Sequence, residues 1–380
     1  MLTEKIAGEI VRETMIRLNR NINIMDHTGT IIASGNPERI NRLHEGALEV
    51  LLTGNPVIIH ENSKNHWKGA EPGINLPIMF QERIIGVIGI TGKPEEIAEF
   101  GELVKMITEM MISQSFLTSQ SEWKQRVKEL IFEELTAMQL KQESIEQRLA
   151  LLNIRLGPPF QVALVELENN TLTNQELIER IEETLHNPHM LTGYVNGNRL
   201  FILASHLTEK AFIQKLQRMQ SMLRYITIPF RIGLGTMKTA QEHIRLSLQE
   251  AKWALLLGKR EQDLIQYTEI ETKALINQID EQAKQDYIER IAGSLSDRML
   301  ETLDVFFECN LHIGEAAKKL YIHRNTLIYR LKKIKQETGL NPQVFQDGVS
   351  LQLAVWICQL NKRGIQKNFF PLYDRAEKTE

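Results

Sequence analysis

The sequence predicts a multidomain α+β protein: a small sheet with flanking helices first, a layered α+β domain second, an all-α unit last. Three observations carry this. Short alternating strands with tight turns lie between helical stretches over the first hundred residues. From Phe160 to Tyr267 the pattern runs strand, helix, hairpin, helix, strand, helix, strand. Between Ile313 and Lys335, IGEAAKKLYIHRNTLIYRLKKIK, two helical faces are separated by a three-residue break. At roughly 100–200 residues per domain, 380 residues make two to three domains.

In chain order, Ile6, Ile10, Val11, Met15 and Leu18 recur at helical spacing. In NINIMDHTGTIIASG, Ile22 and Ile24 alternate with Asn21 and Asn23, Asp26 to Gly29 is a turn, and Ile31 and Ile32 resume the strand. Asn36–Pro37–Glu38 is expected to open a helix with Ile40, Leu43, Ala47, Val50 and Leu51 on one face. Gly73 to Ile78 and Arg83 to Thr91 read as strands joined by Gln81–Glu82. A long helix starts at Pro94, its apolar stripe running from Ile97 through Phe100, Leu103, Val104, Ile107, Met110 and Met111 to Trp123, Leu135 and Met138. A stripe of that length suits a dimer-forming signalling helix.

Helix, hairpin, helix, hairpin, helix is the order of a sensory domain of the PAS or Cache sort, whose pocket lies between sheet and helices. The polar groups within or beside its apolar elements are Asn23, Ser34, Arg39, His44, Lys68, Asn75 and Thr91. The segment Gly73–Ile74–Asn75–Leu76 stands out, because Gly73 permits a bent backbone whose N–H groups converge on an anion. With Arg39 or His44 opposite, such a site suits a carboxylate. The expected ligand site is therefore Ser34, Arg39, His44, Gly73, Ile74, Asn75 and Leu76.

In the middle domain, Phe160 to Leu167 reads as a core strand, Asn196–Gly197 as a hairpin turn and Phe230 to Gly235 as a further strand. Gly233 and Gly235 form a G-x-G with no Lys-Ser/Thr directly after the second glycine, so they read as close packing rather than a phosphate loop.

The C-terminal pattern is that of a helix-turn-helix. Ala316, Ala317 and Leu320 form a short first face, and Leu327, Ile328, Leu331 and Ile334 a second. Small residues in the first helix let the second cross steeply, free to enter a DNA major groove. Leu320, Ile322 and Leu327 fall where apolar wedges belong, although the turn lacks glycine. The outer face offers His323, Arg324, Asn325, Thr326, Tyr329, Arg330 and Lys333, flanked by Lys318 and Lys319. Arg and Asn bond base edges in pairs of hydrogen bonds, while Lys, Thr and Tyr suit phosphates. Thr338–Gly339–Leu340–Asn341–Pro342 ends the second helix with glycine at its C-cap.

The chain carries net charge −3, so nucleic acid must be met by a local basic patch. Its two cysteines, Cys309 and Cys358, lie far apart among apolar residues. They suit a reducing cytoplasm and give no disulfide framework or metal site. The N-terminal stretch lacks a secretion-type apolar block, and the most apolar run, Ile84 to Ile90, is too short to span a bilayer.

Several strings are similar to a known family. NINIMDHTGTIIASG, RINRLHEGA, GINLPI and IIGVIGITGKPEEI resemble the diacid-recognition domain of the bacterial carbohydrate diacid regulators. IPFRIGLGTMKTA and SLQEAKWALLLGKR resemble the degenerate cyclase-like, or GGDEF-like, domain of the same family. TLDVFFECNLHIGEAAKKL, IHRNTLIYRLKKI and TGLNPQVFQDGVSLQLAVW resemble its PucR-type helix-turn-helix. The resemblance implies sensing of a small hydroxy acid or sugar diacid of the glycerate, glucarate and galactarate class, with double-stranded DNA as partner. It implies domains at 1–135, 136–275 and 276–365, and a tail at 366–380.

Diguanylate cyclases hold metal with acids at the central hairpin turn. Here that turn is Val195–Asn196–Gly197–Asn198–Arg199, with no carboxylate for Mg²⁺. The expectation is a cytoplasmic, ligand-responsive transcription regulator acting as a homodimer or higher homo-oligomer. It is expected to be an activator for uptake or catabolism of such acids, without catalytic residues, cofactor or metal. The alternatives are a regulator of the same type answering a purine, and a cyclase-like enzyme.

Overall fold

The computed structural model describes residues 2–18, 20–62, 67, 71–137, 142–168 and 172–362. Lys68, Met138 and the tail 366–380, named above, lie outside them. The chain divides into two compact units, Met1–Val127 and Lys128–Glu380.

The first unit is a five-stranded antiparallel sheet with helices on both faces. Its elements are α1 (Glu4–Leu18), β1 (Ile22–Met25), β2 (Ile31–Ser34), α2 (Glu45–Thr53), β3 (Val57–Ile59), β4 (Gly73–Phe80), β5 (Arg83–Thr91) and the start of α3 (Pro94–Thr136). The strand order is β2-β1-β5-β4-β3. The period-2 alternation of the strands decides which helix each face meets. Ile22, Ile24, Ile74, Leu76, Ile88 and Ile90 pack on Ala7 and Ile10 of α1 and on Ile97 and Val104 of α3. The opposite face sends Met25, Ile31 and Val87 against Ala47 and Val50 of α2. Gln81 and Glu82 both take positive φ, 49° and 63°, the backbone that a two-residue turn between twisted strands demands.

The helix expected from Asn36 is shorter than the periodicity suggests. Only a 3-10 turn, Pro37–Arg39, forms there, and α2 begins at Glu45. Between them Asn41 has φ 67° and the backbone bonds back to β2, Ile31 N–H to Arg42 O and Asn41 N–H to Ile31 O. These bonds hold 40–43 away from helical geometry, so Ile40 and Leu43 stay exposed instead of joining the core.

In the second unit, α4 (Gln142–Leu151) leads to β6 (Phe160–Leu167), α5 (Asn174–Leu185), β7 (Met190–Asn196), β8 (Arg199–Ser205), α6 (Glu209–Tyr225), β9 (Phe230–Leu234), α7 (Ile244–Leu257) and β10 (Leu264–Gln266). The sheet order is β10-β9-β6-β8-β7, with β10 and β9 parallel and the other pairs antiparallel. Leu177, Ile181 and Leu185 of α5 and Phe212, Leu216 and Met219 of α6 cover one face. Helix α7 lies very close to the sheet at the two glycines. A Cβ on Gly233 would sit 2.2 Å from Ala251 O, and one on Gly235 2.0 Å from Ser247 O. The same Ser247 hydroxyl donates to Thr236 O and accepts from Val162 N–H, tying helix to strands. Gly235→Ala is therefore expected to destabilise the chain by about 1–3 kcal/mol through overpacking against backbone. A urea midpoint unchanged from the parent would contradict that contact.

Among the described residues six helices follow: α8 (Tyr267–Asn277), α9 (Glu281–Ala292), α10 (Asp297–Glu308), α11 (Ile313–Lys319), α12 (Arg324–Thr338) and α13 (Phe345–Lys362). Leu303, Phe306, Ala316, Ala317, Leu327, Leu331, Ile334, Leu351 and Val355 form the core that holds α10 to α13 together. Among the described residues no helix is long and apolar enough to cross a membrane.

Candidate functional site

Helices α11 and α12 form the hairpin that the C-terminal pattern predicts. Ala316 and Ala317 are buried, so α12 packs close, with Leu327, Leu331 and Ile334 on its inner side. Leu320 and Ile322 pack into the same core. The missing turn glycine is replaced by Tyr321 at φ 53°, its side chain almost wholly in solvent. Backbone bonds from Tyr321 N–H to Lys318 O and from Ile322 N–H to Ala317 O close the first helix around it. His323 caps α12 by accepting the Asn325 N–H on Nδ1 at 3.2 Å.

The outer face of α12 carries Arg324, Asn325, Thr326, Tyr329 and Lys333, all exposed, and Lys318 is exposed on α11. Two of the residues named from the sequence behave differently. Arg330 is half-buried on the flank of α12, and its Nη1 donates to Thr302 Oγ1 of α10 at 3.0 Å. Burial, with Arg298 nearby, lowers its pKa from the ordinary guanidinium value. Position 330 falls at the edge of the inner stripe, a distinction that spacing alone blurs. Lys319 is exposed but held by Glu308 at 2.6 Å, and the same carboxylate binds Lys259 at 2.8 Å. The bond to Glu308 raises the Lys319 pKa.

In the first unit a polar row crosses the sheet on the α2 side. Ser34 pairs with Asn23, Asn23 with Gly89 and Gly89 with Asn75. Residues directly opposite in antiparallel strands share a face, so these side chains converge. Ser34 Oγ donates to Asn23 Oδ1 at 2.6 Å. Asn75 lies over Gly89, its Oδ1 2.8 Å from where a Cβ would be, and its Nδ2 is 3.3 Å from the equivalent point of Gly46 at the start of α2. Asn23, Asn75, Arg39 and His44 are all buried. His44 caps α2, its Nδ1 accepting the Ala47 N–H at 3.2 Å, which leaves the ring proton on Nε2. Burial, then the nearby Arg39 cation, brings its pKa down to about 4, so the ring is neutral at neutral pH. Arg39 lies 3.9 Å from Glu71.

The structure thus brings Ser34, Arg39, His44 and Asn75 to the α2 side of the sheet and leaves Ile74 and Leu76 out. Their side chains point to α1 and α3, as period 2 requires. Gly73 is no anion-binding bend: it pairs with Ile59 on one side and Thr91 on the other, inside a regular ladder. A Cβ there would meet Ile90 O at 2.2 Å. Asn23 belongs with the row, while Gly46 and Gly89, which make room for Asn75, have no side chain to betray them in sequence.

At the hairpin of the second unit, Glu166 faces Arg199 on the paired strand and is engaged by Arg199 at 2.7 Å and Arg231 at 3.9 Å. Among the described residues no group of three or more His, Cys, Asp or Glu side chains is placed to hold a metal ion.

An exposed basic and polar face on the second helix of such a hairpin is the arrangement of a DNA-binding transcription regulator. Three family models match in order: "Putative sugar diacid recognition" over residues 2–135, "GGDEF-like domain" over 138–257 and "PucR C-terminal helix-turn-helix domain" over 299–357. The chain is 32% identical to the carbohydrate diacid regulator of Escherichia coli over 93% of its own length and 97% of that protein's. It belongs to the carbohydrate diacid regulator family. It is also 24% identical to the DNA-binding transcriptional activator AdeR of Bacillus subtilis, over 81% of this chain and 78% of that one. A solved regulator of polyketide synthase expression from Bifidobacterium adolescentis aligns over 62% of this chain and 99% of its own, at 17% identity and a TM-score of 0.29.

Proposed function

We propose that this regulator senses a small hydroxy acid or sugar diacid in its first unit and thereby controls how paired copies of α12 meet two half-sites in DNA. The observation that carries the sensing is the buried polar row beside Arg39 and His44, on the sheet face away from the α1/α3 core. A carboxylate entering there meets the Arg39 guanidinium, the His44 Nε2–H and the Asn75 amide, with a helix N-terminus behind them. Ser34 and Asn23 offer hydroxyl and amide partners for a second polar end. A five-stranded antiparallel sheet with a buried polar row between it and α2 supports reading the unit as PAS- or Cache-like.

DNA contact is assigned to Arg324, Asn325 and Thr326 at base edges, and to Lys318, Tyr329 and Lys333 at phosphates. His323 and Arg330 support the helix, and Lys319 reaches DNA only by leaving Glu308. The protein acts in the cytoplasm as an activator of genes for uptake or breakdown of the sensed acid. It works without catalysis: the turn Val195–Arg199 offers no carboxylate, and Glu166 on the neighbouring strand is engaged by two arginines. The domains run 1–135, 136–275 and 276–365, with a tail at 366–380.

The test is a thermal-shift screen of the full chain against hydroxy acids, sugar diacids and purines, followed by gel shifts with the hit. A true effector at a hundred times its Kd stabilises by about 2.7 kcal/mol. The same effector should lose its shift in Arg39→Ala. Stabilisation by purines alone would overturn the acid reading.

A further inference from the structure

The long helix α3 presents two different apolar faces. One is Ile97, Val104, Thr108 and Ile112, buried beneath the sheet of the first unit. The other is exposed: Phe100, Leu103, Ile107, Met110 and Leu117, with Met106 beside them. Their spacing is 3, 4, 3 and 7, which is the alternation of a and d positions in a heptad. Met110 and Leu117 each leave 63% of their surface in solvent, at the end of a continuous row of exposed apolar side chains. No charged residue occupies an a or d position between Phe100 and Leu117. The sole polar side chain in the seam over that span is Gln114, at an a position.

We propose that this seam is where a second copy of the chain docks, as a parallel, in-register two-stranded coiled coil over residues 100–117. The inference rests on the regulator acting in pairs and names the surface that makes the pair. The heptad spacing selects an identical helix as occupant, because each knob finds its hole in the same repeat. Gln114 selects the orientation. Parallel and in register, its amide meets its own copy and both are satisfied. Antiparallel pairing about the centre of the seam sets it against Leu103 and strands the amide among apolar groups. Lys124, at a later d position, would face itself, so the apolar seam closes at Leu117, before the second unit begins. Six half-exposed side chains leave on the order of 500–600 Å² per helix to cover, near the ~800 Å² per partner of a standard interface.

The test uses the full chain with Cys309→Ser and Cys358→Ser. Mild oxidation of Met110→Cys or Gln114→Cys should give disulfide-linked dimers, while Glu102→Cys, on the solvent side of the same helix, should not. If Gln114→Cys links only to Leu103→Cys in a mixture of the two variants, the pairing is antiparallel and the proposal falls. Independently, Leu103→Glu with Leu117→Glu should turn the sedimenting dimer into a monomer at micromolar concentration. These side chains are exposed, so circular dichroism should remain that of the parent. A dimer that persists with both glutamates present would place the interface elsewhere. Neither readout involves DNA or effector, so failure here is distinct from failure of the regulatory reading.

Discussion

Arg324→Ala combined with Asn325→Ala should remove sequence-specific DNA binding while leaving effector binding and stability intact. Both side chains are exposed at the start of α12 and neither contributes to the buried stripe of Leu327, Leu331 and Ile334. Each base-edge pair is worth about 1–3 kcal/mol of discrimination, so the double change should cost roughly 30- to 25,000-fold in specific affinity. Non-specific binding should change less, because it rests on phosphates. Arg330→Ala should behave in the opposite way. Its guanidinium bonds Thr302, so its loss should lower the unfolding midpoint and weaken binding only modestly. Gel shifts on operator and unrelated duplex, beside thermal unfolding, separate the two. Equal loss of stability in both variants would mean that α12 is a structural helix.

The first unit should lose stability as pH falls from about 6.5 towards 4, and His44 should account for it. Its folded pKa is about 4, against 6.5 for the unmodified ring. The depressed value means that the unfolded chain binds the proton first, so the stabilising contribution is complete above pH 6.5 and is lost as pH falls through that window. Two to three pKa units correspond to roughly 3 kcal/mol. His44→Asn preserves an oxygen to cap α2 and removes the titration, so its stability should be nearly flat over the same range. A parent chain with equal unfolding free energy at pH 5 and pH 7 would contradict this burial. A carboxylate bound beside Arg39 would raise the ring pKa, so effector should flatten the profile too.

Periodicity was enough to read the longer strands, the order of elements in the second layered domain and the hairpin α11–α12, because each buries one face and exposes the other; it passed over the three-residue strand β3 (Val57–Ile59), too short to show an alternation. It misled at Ile40 and Leu43, where tertiary bonds to β2 overrode helical spacing. Glycine's backbone freedom misled at Gly73, where a residue suggesting a bend serves the close approach of two strands. Buried polar residues were visible as candidates, but which sheet face each joins depends on register. That is why Ile74 and Leu76 were grouped with Asn75, and why Gly46 and Gly89 could not be found. The long apolar stripe of α3 likewise reads as one face until the sheet claims half of it.

Glu308 bridges Lys319 at the foot of the DNA-reading hairpin and Lys259, next to the layered sheet. Exposed ionic tethers of this kind weaken as ionic strength rises. Added salt therefore slackens the mooring of the hairpin while it also competes for the phosphates. A titration of affinity against salt would combine both losses, and its slope would overstate the number of phosphates contacted. Glu308→Gln combined with Lys319→Ala removes the mooring at every ionic strength without freeing a lysine for DNA, so the slope of that variant is the better measure of the footprint.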